Sequence, residues 1–432
     1  MISRPSNNYG DWLWRTLIAS FLVTVLQLTL RSAEKLEAID MNRARQIHQR
    51  FQKGESVSAD ERAYLERAKI AMETGRRLFE KRRSGQTLTA EETSFLESVT
   101  AAFPRGASIE AVGDAPSNRP AASGSGAPRD NTGLVPLDQM SKEENYKGQP
   151  GGLYGAGRNQ PSPEWMKAAQ TEAAKIVPLD GDGKRSPEGK IVMLSIGMSN
   201  TTQEYSKFKQ LADGDPEKSP ALVLVDGAQG GKDAAQWSDE AAGAGTWNVA
   251  NERLRAAGVT PLQVQAIWMK HARIQPARFG EFPKHAEELR AHILKSLQIA
   301  KRRFPNLRIA YLSSRIYAGY ASTQLNPEPY AYESAFAVRS LILDQIGGSP
   351  GLNFDSTKGA VNSPLLLWGP YLWADGKMPR KSDGLGWNRE DLAGDGTHPS
   401  PTSGREKVAK MLLTFFKSDP TTQSWFLRRK SN

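Results

Sequence analysis

The chain has 432 residues, a net charge of +10 and a hydrophobic share of 38%, too low for a single core spanning its whole length, so a portion without its own core is expected. It contains no cysteine, which excludes disulfides, thiolate metal sites and cysteine nucleophiles. The positive charge favours acidic surfaces such as lipid headgroups or envelope polymers, but the basic residues are dispersed and no nucleic-acid-binding signature is present.

Residues 1–33 read as a signal peptide or a membrane anchor. The run Thr16 to Leu30 is apolar apart from Thr, Ser and Gln27, and it follows Arg4 and Arg15 as a positive n-region. It falls short of the roughly 20 residues of a membrane span unless Trp12, Leu13 and Trp14 extend it as interfacial anchors. Either outcome implies an extracytoplasmic protein, secreted or periplasmic in one case and held at the membrane in the other.

Residues 34–103 are charged, rich in helix formers and free of proline, so an N-terminal helical segment is expected. The stretch repeats itself. Gly54, Ser58 and Glu61 are echoed by Gly85, Thr89 and Glu92, so each copy ends one helix at a glycine and opens the next with a capping box. A helical hairpin or stalk is the expected product. Residues 104–163 turn to Gly, Pro, Ser, Asn and Ala, a composition that reads as a flexible linker, with a catalytic domain following over 164–432.

In that domain, short apolar runs alternate with helical patterns. Strands are predicted at Ile191 to Ile196, Ala221 to Asp226, Val264 to Met269, Arg308 to Ser313 and Leu365 to Trp368. Helices are predicted at Thr202 to Leu211, Trp247 to Ala257, Pro283 to Arg303, Tyr330 to Ile346 and Ser403 to Lys417. Strands separated by helical crossovers imply a five-stranded parallel sheet covered on both faces, with sites at the carboxyl ends of its strands. Ser199, Gly230 and Gly231, Lys270, and Ser314 with Arg315 all follow such ends.

The most informative stretch is Asp395-Gly396-Thr397-His398. A carboxylate near an imidazole fixes its tautomer and stabilises the imidazolium, which makes the ring a general base for a serine hydroxyl. Ser199, on the glycine turn after the first strand, is the candidate nucleophile. Taken alone, Ser199 also reads as a helix cap and Asp395-Gly396 as a plain turn. Of the five histidines, His48 lies in the repeat, His271 sits beside Lys270, and His285 and His292 are expected at the surface of one helix, without a third ligand for a metal. Elimination leaves His398.

These residues together resemble the SGNH or GDSL-type hydrolase family, over roughly Lys190 to Lys417. Gly197-Met198-Ser199 is similar to the family's Gly-Asp-Ser turn, Gly231 lies at the spacing of its second block from Asp226, and Asp395 with His398 matches its last block. The resemblance implies a flavodoxin-like three-layer α/β/α sandwich and an ester hydrolase with a Ser199, His398 and Asp395 triad. Its oxyanion hole would comprise the N–H groups of Ser199 and Gly231, with Lys270 standing where the family has an asparagine. Met198 replaces the family's aspartate. This scheme needs no metal and no organic cofactor.

The expected substrate is a small-molecule or glycan ester. Trp368, Tyr371, Trp373 and Trp387, with Trp237, Trp247 and Trp268, would stack on sugar rings if they line the cleft and pack the core if they do not. The altered first and third blocks also admit a non-catalytic envelope protein that binds glycan, and the same acyl-enzyme would serve an acyltransferase.

Overall fold

A computed structural model describes residues 128–428 apart from Ala242, residues 87–101, and isolated positions between 40 and 78. The expected signal or anchor at 1–33, and residues 104–127 of the expected linker, lie outside the described residues. The chain divides into two units, Met1–Ala122 and Ser123–Asn432. Among the described residues no helix is long and apolar enough to cross a membrane.

In the first unit both expected capping boxes are present. Ser58 N–H donates to Glu61 Oε2 at 2.9 Å and Glu61 N–H to Ser58 Oγ at 3.2 Å. The pattern recurs between Thr89 and Glu92, at 2.9 and 3.1 Å, at the start of α1 (Ala90–Ala101). Each box satisfies N–H groups that the first turn leaves without intrahelical partners.

The second unit opens with a short hairpin, β1 (Asn145–Tyr146) and β2 (Gln149–Pro150), and then α2 (Pro163–Ala173). Ser162 caps α2 by accepting Trp165 N–H at 3.2 Å, and Pro163 takes the first helical position, where no donor is needed. There follow β3 (Ile191–Gly197), α3 (Ser199–Asp213), β4 (Leu222–Asp226), α4 (Ala234–Trp237), α5 (Ala244–Ala256), β5 (Val264–Lys270), α6 (Lys284–Arg303), β6 (Ile309–Ser313), α7 (Tyr330–Ile346), β7 (Leu365–Trp368), α8 (Gly404–Ser418) and α9 (Gln423–Phe426).

Strands β3 to β7 form one parallel sheet in the order β4-β3-β5-β6-β7. Every residue of β3, β5, β6 and β7 is buried, so their Ile, Val and Leu runs show no alternation and the sheet is covered on both faces. The result is the expected three-layer α/β/α sandwich, with the first strand of the sheet lying between the second and third. In this order the chain's direction of winding reverses beside β3, the place in an open α/β sheet where sites form at the carboxyl ends of the strands.

Helix α3 packs on α8 and α6 on α7. The rings of Phe208 and Phe416 meet at 5.5 Å between α3 and α8. This pairing positions the site, because α3 begins at Ser199 and α8 follows the loop that carries Asp395 and His398.

The expected linker over 104–163 is corrected in its second half. Leu137 is fully buried, and its N–H donates to the Tyr371 hydroxyl at 3.1 Å. Asp375 accepts the N–H and hydroxyl of Thr132 at 2.6 Å each and the N–H of Gly133 at 2.8 Å. The segment is poor in apolar residues of its own and takes its order from partners 243 residues further on. The unit that carries the site therefore begins near Arg129, whose carbonyl accepts the Tyr317 hydroxyl at 2.7 Å, and not at residue 164.

Candidate active site

Strand β3 ends at Gly197, Met198 is extended with φ −105° and ψ −164°, and Ser199 is the first residue of α3. The turn is too tight for a side chain at Gly197, where a Cβ would fall 2.3 Å from the carbonyl oxygen of Lys270. Thr201 Oγ1 donates to that same carbonyl at 2.8 Å, tying α3 to the end of β5. Ser199 thus stands at the amino end of a helix, where N–H groups are free and the helix dipole is positive. It does not act as a cap, since Met198 occupies that position without a side-chain bond.

Ser199 Oγ lies 2.7 Å from His398 Nε2, and His398 Nδ1 lies 2.5 Å from Asp395 Oδ2. Asp395 Oδ1 accepts the N–H groups of Thr397 and His398 at 3.0 Å each. An ionised carboxylate only accepts, so the ring proton sits on Nδ1 and Nε2 faces the serine hydroxyl as an acceptor. Burial alone would raise the pKa of Asp395. The hydrogen bond from His398, the ring's charge and the backbone donors outweigh it and hold the carboxyl well below the usual carboxylate range. The three residues expected from the sequence lie within hydrogen-bond reach of one another, in the order Ser199, His398, Asp395.

Two further residues bind the Thr397 carbonyl, between acid and base. Asn200 Nδ2 donates to it at 3.0 Å and Arg315 Nη2 at 3.1 Å. Neither is among the expected triad or oxyanion residues. Their only signal in the sequence is position, one directly after Ser199 and the other just past the end of β6.

Of the expected oxyanion donors, Ser199 offers its N–H at the start of α3. A side chain built on Gly230 would lie 4.0 Å from Ser199 Cβ, whereas one on Gly231 would meet open space. Gly231, at φ +71°, makes a left-handed turn. The N–H groups of both glycines lack a backbone acceptor among the described residues. The loop before them is anchored by Gln229 N–H on the Gly197 carbonyl at 3.0 Å, and by Arg253 Nη1 on the carbonyls of Asp226 and Ala228 at 2.8 and 2.7 Å. Asp226, the second-block residue, accepts the hydroxyls of Ser195 and Ser206 at 2.5 and 2.8 Å.

The expectation for Lys270 is corrected. Its Nζ donates to Glu204 Oε1 at 2.6 Å, and both side chains are 0% exposed. An ammonium so desolvated needs a carboxylate partner, and Glu204 of α3 supplies it. Burial lowers the lysine pKa to about 8 and raises that of Glu204, each opposed by the attraction of the other.

The surface placement expected for two histidines is corrected as well. His285 is buried with Nε2 2.6 Å from Glu333 Oε2, and His292 is half-buried between Ser238 and Glu288. His271 is buried with neither ring nitrogen bonded among the described residues, and desolvation pushes its pKa down to about 3. The tryptophans are corrected too. Trp237, Trp247, Trp268, Trp373 and Trp387 are each 0% exposed and Trp368 is 5% exposed, so they pack the core and offer no stacking face to a sugar.

The fold and this geometry define a three-layer α/β/α domain in which a serine after the first strand of the sheet, a histidine and an aspartate are joined by hydrogen bonds. No family model matches the chain, and no curated protein matches it. Among solved structures it is similar to a lipase from a goat rumen metagenome, with 12% sequence identity, coverage of 52% of this chain and 97% of that one, and a TM-score of 0.30.

Proposed function

We propose that the second unit is a serine ester hydrolase of the SGNH or GDSL type. The observation that carries the reading is the pair of contacts at His398, 2.7 Å to Ser199 Oγ and 2.5 Å to Asp395 Oδ2. Ser199 Oγ attacks the acyl carbonyl while His398 Nε2 takes its proton, and the imidazolium is stabilised by Asp395. The N–H groups of Ser199 and Gly231 hold the tetrahedral oxyanion, aided by the positive end of α3. His398 then returns the proton to the leaving alkoxide, and water clears the acyl-enzyme by the reverse sequence.

The acyl group in this reading is small, acetyl being the first choice. A sugar as the alcohol portion loses its support with the burial of the indoles, so the assay spans simple and sugar esters. The full chain is incubated with nitrophenyl acetate, nitrophenyl butyrate and a panel of acetylated sugars. Hydrolysis by the wild type and none by Ser199→Ala is expected, together with labelling of Ser199 by a fluorophosphonate; equal turnover by both proteins refutes the assigned nucleophile. Export or membrane attachment through residues 1–33 belongs to the same proposal. Fractionation of expressed protein tests it, and a wholly cytosolic product defeats it.

A further inference from the structure

On the carbonyl of Thr397 a donor from α3 and a donor from the end of β6 converge. One of them, Arg315, is 1% exposed, and its backbone N–H is pinned to Ser334 Oγ at 3.1 Å. A guanidinium carries five N–H donors, yet the Nε of Arg315 has no partner among the described residues. A cation buried at such cost and so incompletely satisfied calls for a reason beyond packing.

We propose that Arg315 is a positioning residue of the relay, holding the Thr397 carbonyl, and with it the loop of Asp395 and His398, against the helix that starts at Ser199. The inference rests on the relay as read above. The planar guanidinium suits this task because its donors point in fixed directions. The carboxylates of Glu204, Glu328 and Asp395 favour the cationic form of Arg315 against the burial that depresses it.

Full-length Arg315→Gln, Arg315→Lys and Asn200→Ala proteins are compared with the wild type by nitrophenyl acetate turnover and by NMR of the His398 ring, whose Nδ1 proton reports the contact with Asp395 and needs no turnover. Arg315→Gln is expected to lower kcat by about 10²-fold with KM little changed, as a misplacement of the base does, and to displace or broaden the Nδ1 proton signal. Arg315→Lys keeps the charge and loses the fixed reach, so kcat falls with KM little changed. Asn200→Ala likewise lowers kcat with KM little changed. Wild-type kcat and an unaltered Nδ1 proton signal in Arg315→Gln overturn the proposal, as does a loss confined to thermal stability. Should Arg315→Gln fail to fold, wild-type kcat in both other variants overturns it. If the wild type itself hydrolyses no ester, the ester reading fails separately, and the Nδ1 proton signal alone then decides the role of Arg315.

Discussion

Asn200 follows Ser199 in the chain, and its amide nitrogen donates to the Thr397 carbonyl at 3.0 Å. The helix that presents the hydroxyl is thereby tied to the loop that presents the base, by a bond that involves neither reacting group. The aromatic contact of Phe208 with Phe416 reinforces the same approach one layer deeper.

The relay predicts unequal losses. Ser199→Ala and His398→Ala abolish ester turnover. Asp395→Asn lowers kcat by about 10⁴-fold, because the amide favours the wrong ring tautomer while leaving the loop in place. Steady-state kinetics on nitrophenyl acetate, with circular dichroism to confirm folding, make the comparison. An Asp395→Asn protein with wild-type kcat is incompatible with the proposed role.

The pH dependence has a definite sign. Turnover falls with acid because protonating His398 removes the acceptor for the Ser199 hydroxyl. Asp395 does not set this limb, since its folded pKa lies below the ordinary carboxylate range. A carboxyl depressed on folding stabilises the native state above its unfolded pKa, about 3.9 for Asp, and loses that contribution as pH falls below it. Urea denaturation from pH 7 to pH 2 should show the advantage of wild type over Asp395→Asn shrinking below about pH 4. A constant difference across the range contradicts the assignment.

Lys270 and Glu204 act as a structural pair. Lys270→Met leaves a carboxylate buried without its partner and is expected to cost about 3 to 5 kcal/mol. Adding Glu204→Leu to it restores most of the loss and retains ester turnover, as an oxyanion role for Lys270 would not allow. Thermal melts and kcat of the single and double variants give the answer.

Residues from Arg129 to Pro163 are needed for folding. A chain starting at residue 164 loses the donors to Asp375 and uncovers Tyr371, so it is expected to melt without cooperativity. One starting at Ser123 keeps them and melts as a unit. Differential scanning calorimetry of the two separates these outcomes, and a cooperative melt of the shorter chain rejects the requirement.

The sheet was legible because unbroken Ile, Val and Leu runs of strand length, each followed by a helical pattern, leave few alternatives to a doubly covered parallel sheet. Asp395 and His398 were legible because acid and base lie three residues apart on one loop. Lys270 was not. At the end of a fully buried strand, the sequence does not say whether a side chain turns to the cleft or to a helix, and its partner Glu204 lies 66 residues earlier. The segment after Arg129 misled for a related reason, since its composition promises no core and its order is supplied from the far end of the chain. His285 shows the same limit, its polar helix concealing a carboxylate partner on α7.

The burial of the indoles has a spectroscopic consequence. Trp237, Trp247, Trp268, Trp373, Trp387 and Trp425 are shielded from water in the folded state, so their emission belongs at the blue end of the tryptophan range and moves red when the domain opens. Intrinsic fluorescence is therefore a direct gauge of folding for every variant described above. For the same reason it is a poor reporter of ester binding, which an extrinsic dye or the reaction itself must supply.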